Sequence, residues 1–141
     1  MFWGEYTHHL DSKGRVIVPA RFRPHLEGAV LTRGLDQNLV LYSRETWRSV
    51  LGQLNQIPIT NPTARALRRL LFSGAVEVQI DKQGRLLIPS HLREYAQLSD
   101  QALMVGMETF IEVWQPSQWQ ATLDGLAEQL ANSAHLLKLE L

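Results

Sequence analysis

Two short polar segments of the sequence carry the residues with the clearest capacity for chemistry. They are Leu10–Arg15, which reads LDSKGR, and Ile80–Arg85, which reads IDKQGR. Each contains an aspartate, a glycine three residues later and an arginine directly after the glycine. The planar side chain of arginine can donate paired hydrogen bonds to phosphate oxygens or to the edge of a guanine base. The two segments therefore predict contact with an anionic partner.

The aspartates and glycines of these segments are predicted to build tight turns. Aspartate is favoured at the first position of a turn, because its carboxylate accepts hydrogen bonds from the backbone that follows. Glycine is favoured where the backbone adopts a positive φ. We therefore assign a structural role to four residues. They are Asp11, Gly14, Asp81 and Gly84.

Turn geometry does not require an arginine, so Arg15 and Arg85 are predicted to bind DNA. The alternative is that each arginine only pairs with the aspartate of its own turn. Lys13 and Lys82 lie nearby, though not at matching positions, and are predicted to contact phosphates. Three arginines that follow the turns are candidate supporting cations, which could instead pin each hairpin by an ion pair. These are Arg21, Arg23 and Arg93.

The sequence predicts neither catalysis nor metal binding. The chain has no cysteine, which removes thiolate ligands and cysteine nucleophiles. His8 and His9 are adjacent, so on a strand they point to opposite faces. Asp11 and Asp81 could meet as a carboxylate pair, but an arginine four residues after each predicts low pKa values and no proton chemistry. We therefore expect no catalytic residue, metal, cofactor or small-molecule substrate.

The charge of the chain is unevenly distributed. The 141 residues contain 14 lysines and arginines and 14 aspartates and glutamates, for a net charge of zero. Residues 1–93 nevertheless carry a net charge of +6, and residues 94–141 carry −6. A basic part hints at an anionic partner, whereas a solvated acidic helix is the plainer explanation.

The composition also bears on location. No apolar run approaches the roughly 18 residues of a membrane span, and residues 1–10 do not resemble a secretion signal. The absence of cysteine fits a reducing cytosol. We therefore expect a cytoplasmic protein with no membrane partner.

The two turns belong to a longer internal repeat. Residues 2–26 align with residues 72–96 at an offset of 70, and residues 32–42 align with 104–114 at an offset of 72. Each unit predicts a strand, a tight turn, a second strand, a short helical turn, a hairpin and a helix. A further helix is predicted between the units, starting at the sequence NPTAR. A unit of this size buries too little apolar surface to be stable alone.

The two units are therefore predicted to pack as a pseudo-symmetric pair. The expected fold is α+β, a small closed or interlocked β-barrel with helices outside it. Ser43 is predicted to cap the helix of the first unit. Asn61 is predicted to cap the helix between the units, with Pro62 in its first turn.

The segments LDSKGRVIVP and IDKQGRLLIP resemble the swapped-hairpin β-barrel of AbrB-like transcription factors. With the start MFWGEY and the intervening NPTARALRRLLFSG, the chain is similar to the MraZ family over roughly residues 1–120. The resemblance implies a tandem, pseudo-symmetric AbrB-like fold with peripheral helices. The implied parts are a first AbrB-like repeat at 5–47, linker helices at 48–74, a second AbrB-like repeat at 75–119, and a C-terminal helix and tail at 120–141.

The resemblance also implies a function. MraZ proteins are bacterial, assemble into rings and associate with the nucleoid. They bind repeated DNA sequences upstream of their own operon, the division and cell-wall gene cluster, and regulate its transcription. The expected partners are double-stranded DNA and further copies of the same chain.

Two alternatives to this function remain. One is a structural ring or protein-binding adaptor with no DNA readout, using the acidic C-terminal helices. Such a protein would expose apolar residues on 117–141, and the surface around the two turn motifs would carry no net charge. The other is an AbrB-like antitoxin or transition-state regulator, although those proteins usually carry one unit and dimerise.

Overall fold

A computed structural model describes residues 1–141 and shows a mixed α+β fold. The first unit contains β1 (Phe2–His9), β2 (Arg15–Ile17), β3 (Val30–Arg33), β4 (Leu39–Tyr42) and α1 (Arg44–Asn55). Helix α2 (Pro62–Gly74) follows. The second unit contains β5 (Val76–Glu77), β6 (Arg85–Leu87), α3 (Ser90–Tyr95), β7 (Gln101–Glu108), β8 (Phe110–Trp114) and α4 (Pro116–Ser133). Short 3₁₀-helices span Arg23–His25 and Ala134–Leu137.

The strands form an antiparallel sheet and a separate two-stranded ribbon. The sheet has the strand order β1-β7-β8-β4-β3-β5, and the ribbon pairs β2 with β6. The first strand of each unit pairs with the hairpin of the other unit. Strand β1 runs along β7, from Phe2 opposite Glu108 to His9 opposite Gln101, and β5 pairs with β3. The sheet and the ribbon therefore both contain strands from the two units.

The structure confirms the predicted α+β class but not the closed barrel. The sheet is open, with β1 at one edge and β5 at the other. A barrel requires every strand to pair on both sides. Strand β5 has only two residues, and β2 and β6 have three each. Because β2 and β6 pair only with each other, no strand joins the two edges of the sheet, and the prediction of a closed barrel is wrong.

A continuous apolar core lies between the ribbon and the inner face of the sheet, and both units contribute to it. Val16 and Leu86, the central pair of the ribbon, are each 1% exposed. The rings of Phe2 and Phe22 pack edge to face at 5.3 Å between centroids, and Tyr6 packs on Phe22 at 5.2 Å. Because apolar burial is the main favourable term in folding, this shared core joins the units into one folding unit.

Local hydrogen bonds fix where the helices begin. The Ser43 hydroxyl accepts from the backbone N–H of Thr46 at 3.2 Å, at the start of α1. The Asn61 side chain accepts from the N–H of Ala64 at 3.1 Å, at the start of α2. Both predicted N-caps are therefore confirmed. Helix α4 is capped by the side chain of Gln115, a residue outside the preferred N-cap set.

Helix α4 is anchored to the outer face of the sheet by its first turn. The ring of Trp119 packs on Trp114 at 5.4 Å, and its indole N–H donates to the Glu5 carboxylate at 2.9 Å. No residue of α4 is buried, and Leu123 and Leu130 are both exposed. None of the helices combines the length and apolar character needed to cross a bilayer.

Candidate nucleic-acid interface

The two D-x-x-G-R turns lead into the two strands of the ribbon and share one geometry. In the first turn, Oδ1 of Asp11 accepts from the backbone N–H groups of Lys13 and Arg15, each at 2.9 Å. The N–H of Gly14 donates to the carbonyl of Asp11 at 3.0 Å. The second turn repeats these contacts around Asp81. Each aspartate thus holds its own turn through the backbone.

The arginine of each turn folds back onto the aspartate of the same turn. Nε of Arg15 donates to Oδ2 of Asp11 at 2.6 Å, and Nε of Arg85 donates to Oδ2 of Asp81 at 2.8 Å. The two turns also approach each other, because Nη1 of Arg85 lies 3.9 Å from Oδ2 of Asp11. The architectural pairing therefore exists, and it places both guanidinium groups in one patch.

The ribbon presents one face to solvent. Pairing puts Arg15 opposite Leu87 and Ile17 opposite Arg85, on the face away from the core. Leu87 is 50% exposed. Motif reasoning missed this leucine, although the alternation of inward and outward residues along β6 could have identified it. The solvent-facing surface therefore combines two arginines with two apolar side chains.

Three of the other predicted cations lie in two different environments. Lys13 and Lys82 are exposed within the two turns. Arg21 is also exposed, but its Nη1 donates to the Tyr6 hydroxyl at 3.0 Å and its guanidinium lies 5.9 Å from the centroid of the Trp3 ring. Arg21 is therefore held by strand β1 and not by either turn.

Arg23 and Arg93 each reach from one unit to the turn of the other. Nη1 of Arg93 donates to the carbonyl oxygen of Lys13 at 3.1 Å. A Cβ atom added at Gly14 would overlap the Arg93 guanidinium, and one added at Gly84 would overlap that of Arg23. The sequence pattern could not reveal this crossing, because it depends on how the two units pack.

Backbone hydrogen bonds keep the turn carboxylates ionised. The N–H of Arg15 is the largest cause that holds the pKa of Asp11 at about 2, against the ordinary 3.8. The N–H of Arg85 is likewise the main cause that lowers the pKa of Asp81. A carboxylate with a pKa this low is a poor proton-transfer group near neutral pH. These aspartates act as fixed acceptors.

Acid should destabilise the fold through these carboxylates. A pKa that is lowered in the folded state adds stability above the unfolded pKa of 3.8, and that stability is lost as the pH falls through the folded value of about 2. Between about pH 4 and pH 2, urea unfolding should therefore show a shallower loss of stability in the double variant Asp11→Asn/Asp81→Asn than in the wild type. Glu128→Gln, an exposed change on α4, is the control. An equally steep loss of stability between about pH 4 and pH 2 in the wild type, the double variant and Glu128→Gln would refute the expectation.

The turn glycines should tolerate no side chain. Gly14 has φ +84° and Gly84 has φ +79°, a region that costs L-residues about 1–2 kcal/mol. Alanine at either position should lower the free energy of unfolding by at least that amount in urea titrations, because the guanidinium of Arg93 or Arg23 must also move. Gly52 in α1 has no atom within 4 Å of an added Cβ, so Gly52→Ala should raise stability by about 0.5–1 kcal/mol. Equal effects at turn and helix positions would contradict this.

The main apolar groove lies elsewhere, on the outer face of the sheet. It has a volume of about 430 Å³ and is lined by α1, α2 and the tip of the β3–β4 hairpin, without a lysine or arginine. Tyr42 lines it, and burial, with a smaller effect of Glu112, raises the pKa of its phenol. No group of three or more histidine, cysteine, aspartate or glutamate residues is placed to hold a metal ion.

Comparisons with known proteins agree with the family resemblance that the sequence shows. The MraZ family model, described as "MraZ protein, putative antitoxin-like", matches residues 1–70 and again residues 71–139. A protein of Herpetosiphon aurantiacus named "Transcriptional regulator MraZ" is 52% identical over 130 residues, which cover 92% of this chain and 91% of its own. Proteins of the same name from Roseiflexus castenholzii and Acetivibrio thermocellus are 46% and 45% identical. Their matches cover 89% and 93% of this chain, and 89% and 97% of their own.

The double match follows the internal repeat, since each half of the chain fits the same family model. The relatives are named as regulators of transcription and not as enzymes. These names confirm the prediction that the chain is not an enzyme. With a family model that spans nearly the whole chain and relatives of this identity, the chain belongs to the MraZ family.

Proposed function

We propose that this chain is a sequence-specific DNA-binding regulator of transcription that acts as a homo-oligomer. The observation that carries the proposal is the solvent-facing ribbon, which presents Arg15 and Arg85 together, with Lys13 and Lys82 exposed in the adjoining turns. Arginine is the side chain best suited to read guanine edges and to bridge phosphates. The names of the relatives support this assignment.

The ribbon has a suitable shape for this role. A two-stranded ribbon can enter the major groove of B-DNA. Because Nε of Arg15 and of Arg85 is bonded to the aspartate of its turn, each guanidinium is held in one orientation before DNA arrives. Immobilising side chains in advance lowers the entropy cost of binding. The Asp–Arg pairing therefore serves DNA binding by orienting the arginines.

Oligomerisation would supply the affinity that one chain lacks. A ring that presents several ribbons to repeated DNA sites gains avidity without any new contact. The exposed Leu123 and Leu130 of α4 and the apolar groove offer surface for contacts between copies. We place the sites upstream of the division and cell-wall gene cluster, and the protein in the cytoplasm on the nucleoid. We also propose that the repeats at 5–47 and 75–119 form an AbrB-like swapped-hairpin pair.

A protein-binding adaptor with no DNA readout is less well supported. It accounts for the exposed leucines of α4. It also requires neutral faces around the two motifs, whereas the two turns themselves carry four cations and two carboxylates. The cations are Lys13, Arg15, Lys82 and Arg85, and the carboxylates are Asp11 and Asp81. The charge at the ribbon therefore favours DNA.

The proposal is tested by titrating the protein with the duplex DNA upstream of its own gene at several salt concentrations. The logarithm of the binding constant should fall linearly with log salt, by about 0.9 per phosphate neutralised. The four cations of one chain give a slope no steeper than about −4, so an oligomer should give a steeper slope. A salt-independent constant would favour the adaptor. A light-scattering mass of 16.1 kDa, that of one chain, would contradict the oligomer.

A further inference from the structure

The first turn is bonded to the second unit at two consecutive carbonyl groups. Arg93, in α3, donates from Nη1 to the carbonyl of Lys13 at 3.1 Å. The N–H of Ile88 donates to the carbonyl of Gly14 at 2.9 Å. Gly14 is buried beneath the Arg93 guanidinium, in space that a Cβ atom would occupy. The first turn is therefore held by residues of the second unit as well as by its own Asp11.

The first unit contacts the second turn through a similar but not identical set of residues. The N–H of Val18 donates to the carbonyl of Gly84 at 2.8 Å. Nε of Arg23 donates to the carbonyl of Val18 at 2.9 Å, and its guanidinium covers Gly84. Arg23 and Arg93 are equivalent at the repeat offset of 70. Each unit thus places one arginine on the turn glycine of the other. Arg93 also donates a hydrogen bond to the opposite turn, whereas the hydrogen bond of Arg23 stays within its own unit.

These arginines differ from Arg15 and Arg85 in what they touch. Arg23 and Arg93 are half-buried and bond to backbone carbonyl oxygens. Arg15 and Arg85 bond to carboxylates on the outer face of the ribbon. A flat guanidinium can lie on a glycine and donate to a carbonyl together, whereas a lysine ammonium lacks the planar fork.

We infer that Arg23 and Arg93 are positioning residues, each of which orders the DNA-facing turn of the opposite unit and does not itself contact DNA. The inference rests on the proposed DNA-binding function. Ordering a turn in advance removes part of the cost of immobilising its lysine and arginine on DNA, which amounts to about a tenfold change in affinity for two side chains. The two turns then act as a single DNA-binding site, because each is ordered by the opposite unit.

Hydrogen exchange in the absence of DNA tests whether each arginine orders the turn of the opposite unit. In Arg93→Lys, which keeps the charge, deuterium uptake should rise in peptides covering 10–15 and stay at the wild-type level in those covering 80–85. Arg23→Lys should give the reverse pattern. Arg69→Lys, an exposed change on α2, should alter neither peptide. A rise confined to the variant's own unit, or equal rises in both turns, would overturn the inference.

DNA titrations separate positioning from contact. Arg93→Lys should weaken binding about tenfold. The neutral variant Arg93→Gln should weaken it with an unchanged slope against log salt, because no phosphate contact is lost. Wild-type affinity in Arg93→Lys, or a slope reduced by about 0.9 per bound copy in Arg93→Gln, would overturn the inference. If the wild type does not bind DNA, the proposed function fails, whereas the exchange pattern still judges the positioning.

Discussion

Replacing Arg15 and Arg85 together with alanine should abolish specific DNA binding while the protein remains folded. A well-placed arginine contributes about 1–3 kcal/mol of discrimination. Losing two per chain should therefore cost about 2–6 kcal/mol, or a factor of about 30 to 10⁴ in Kd. In an oligomer the loss is repeated in every copy that touches DNA. Binding to the upstream DNA, measured by fluorescence anisotropy, should fall to the level of unrelated DNA.

The fold should survive this change because the turns do not depend on the side chains of Arg15 and Arg85. Asp11 still accepts two hydrogen bonds from the backbone, at 2.9 Å each. Partly exposed ion pairs add little stability. The matched control is Arg48→Ala/Arg69→Ala, which removes the same charge from exposed positions on α1 and α2. Specific binding by the Arg15/Arg85 variant would refute the role of these arginines in DNA binding, and its unfolding or dissociation would show that they are scaffolding.

Phe22→Ala should be among the most destabilising single substitutions in the core. Phe22 is fully buried and packs edge to face against Phe2 and Tyr6, at 5.3 and 5.2 Å. Truncating such a residue costs about 3–5 kcal/mol, a large share of the 5–15 kcal/mol that stabilises a typical domain. Urea unfolding followed by circular dichroism measures the loss.

Two comparisons make this measurement specific. Phe22→Leu, which installs the residue found at the equivalent position Leu92, should cost less than half as much, because most of the apolar volume remains. Leu87→Ala, at a half-exposed position, should change stability by less than about 0.5–1 kcal/mol. A loss below about 1 kcal/mol for Phe22→Ala would contradict the role of Phe22 in the shared core.

Local features of the sequence predicted the elements well, because each element has its own signal. Ser43 and Asn61 mark two helix starts, and the Asp–Gly spacing marks both turns. The repeat alignment fails where local propensity differs between its halves. It pairs Phe2 with Phe72, yet Phe2 lies in strand β1 and Phe72 in helix α2. An N-cap, a first-turn proline and good helix formers decide the conformation of residues 62–74.

Features that depend on contacts between residues far apart in the sequence could not be predicted. Whether the sheet closes depends on pairings between segments far apart in the chain, which no local pattern encodes. The same holds at the candidate site. Arg23 and Arg93 read as two more cations in the sequence, but packing places each on the glycine of the opposite turn. The exposure of Leu87 is different, because the alternation of inward and outward residues along β6 could have predicted it.

The exchange of first strands between the units has a consequence during synthesis. Strand β1 leaves the ribosome about 100 residues before its partner β7, which ends at Glu108. At about 5–20 residues per second, the nascent chain carries an unpaired strand for roughly 5–20 s. Such long-range pairings form slowly, and an unpaired strand edge is prone to aggregation. The earliest strand to be made is thus among the last to be protected, so a chaperone that binds residues 2–9 of the nascent chain would raise the yield of folded protein.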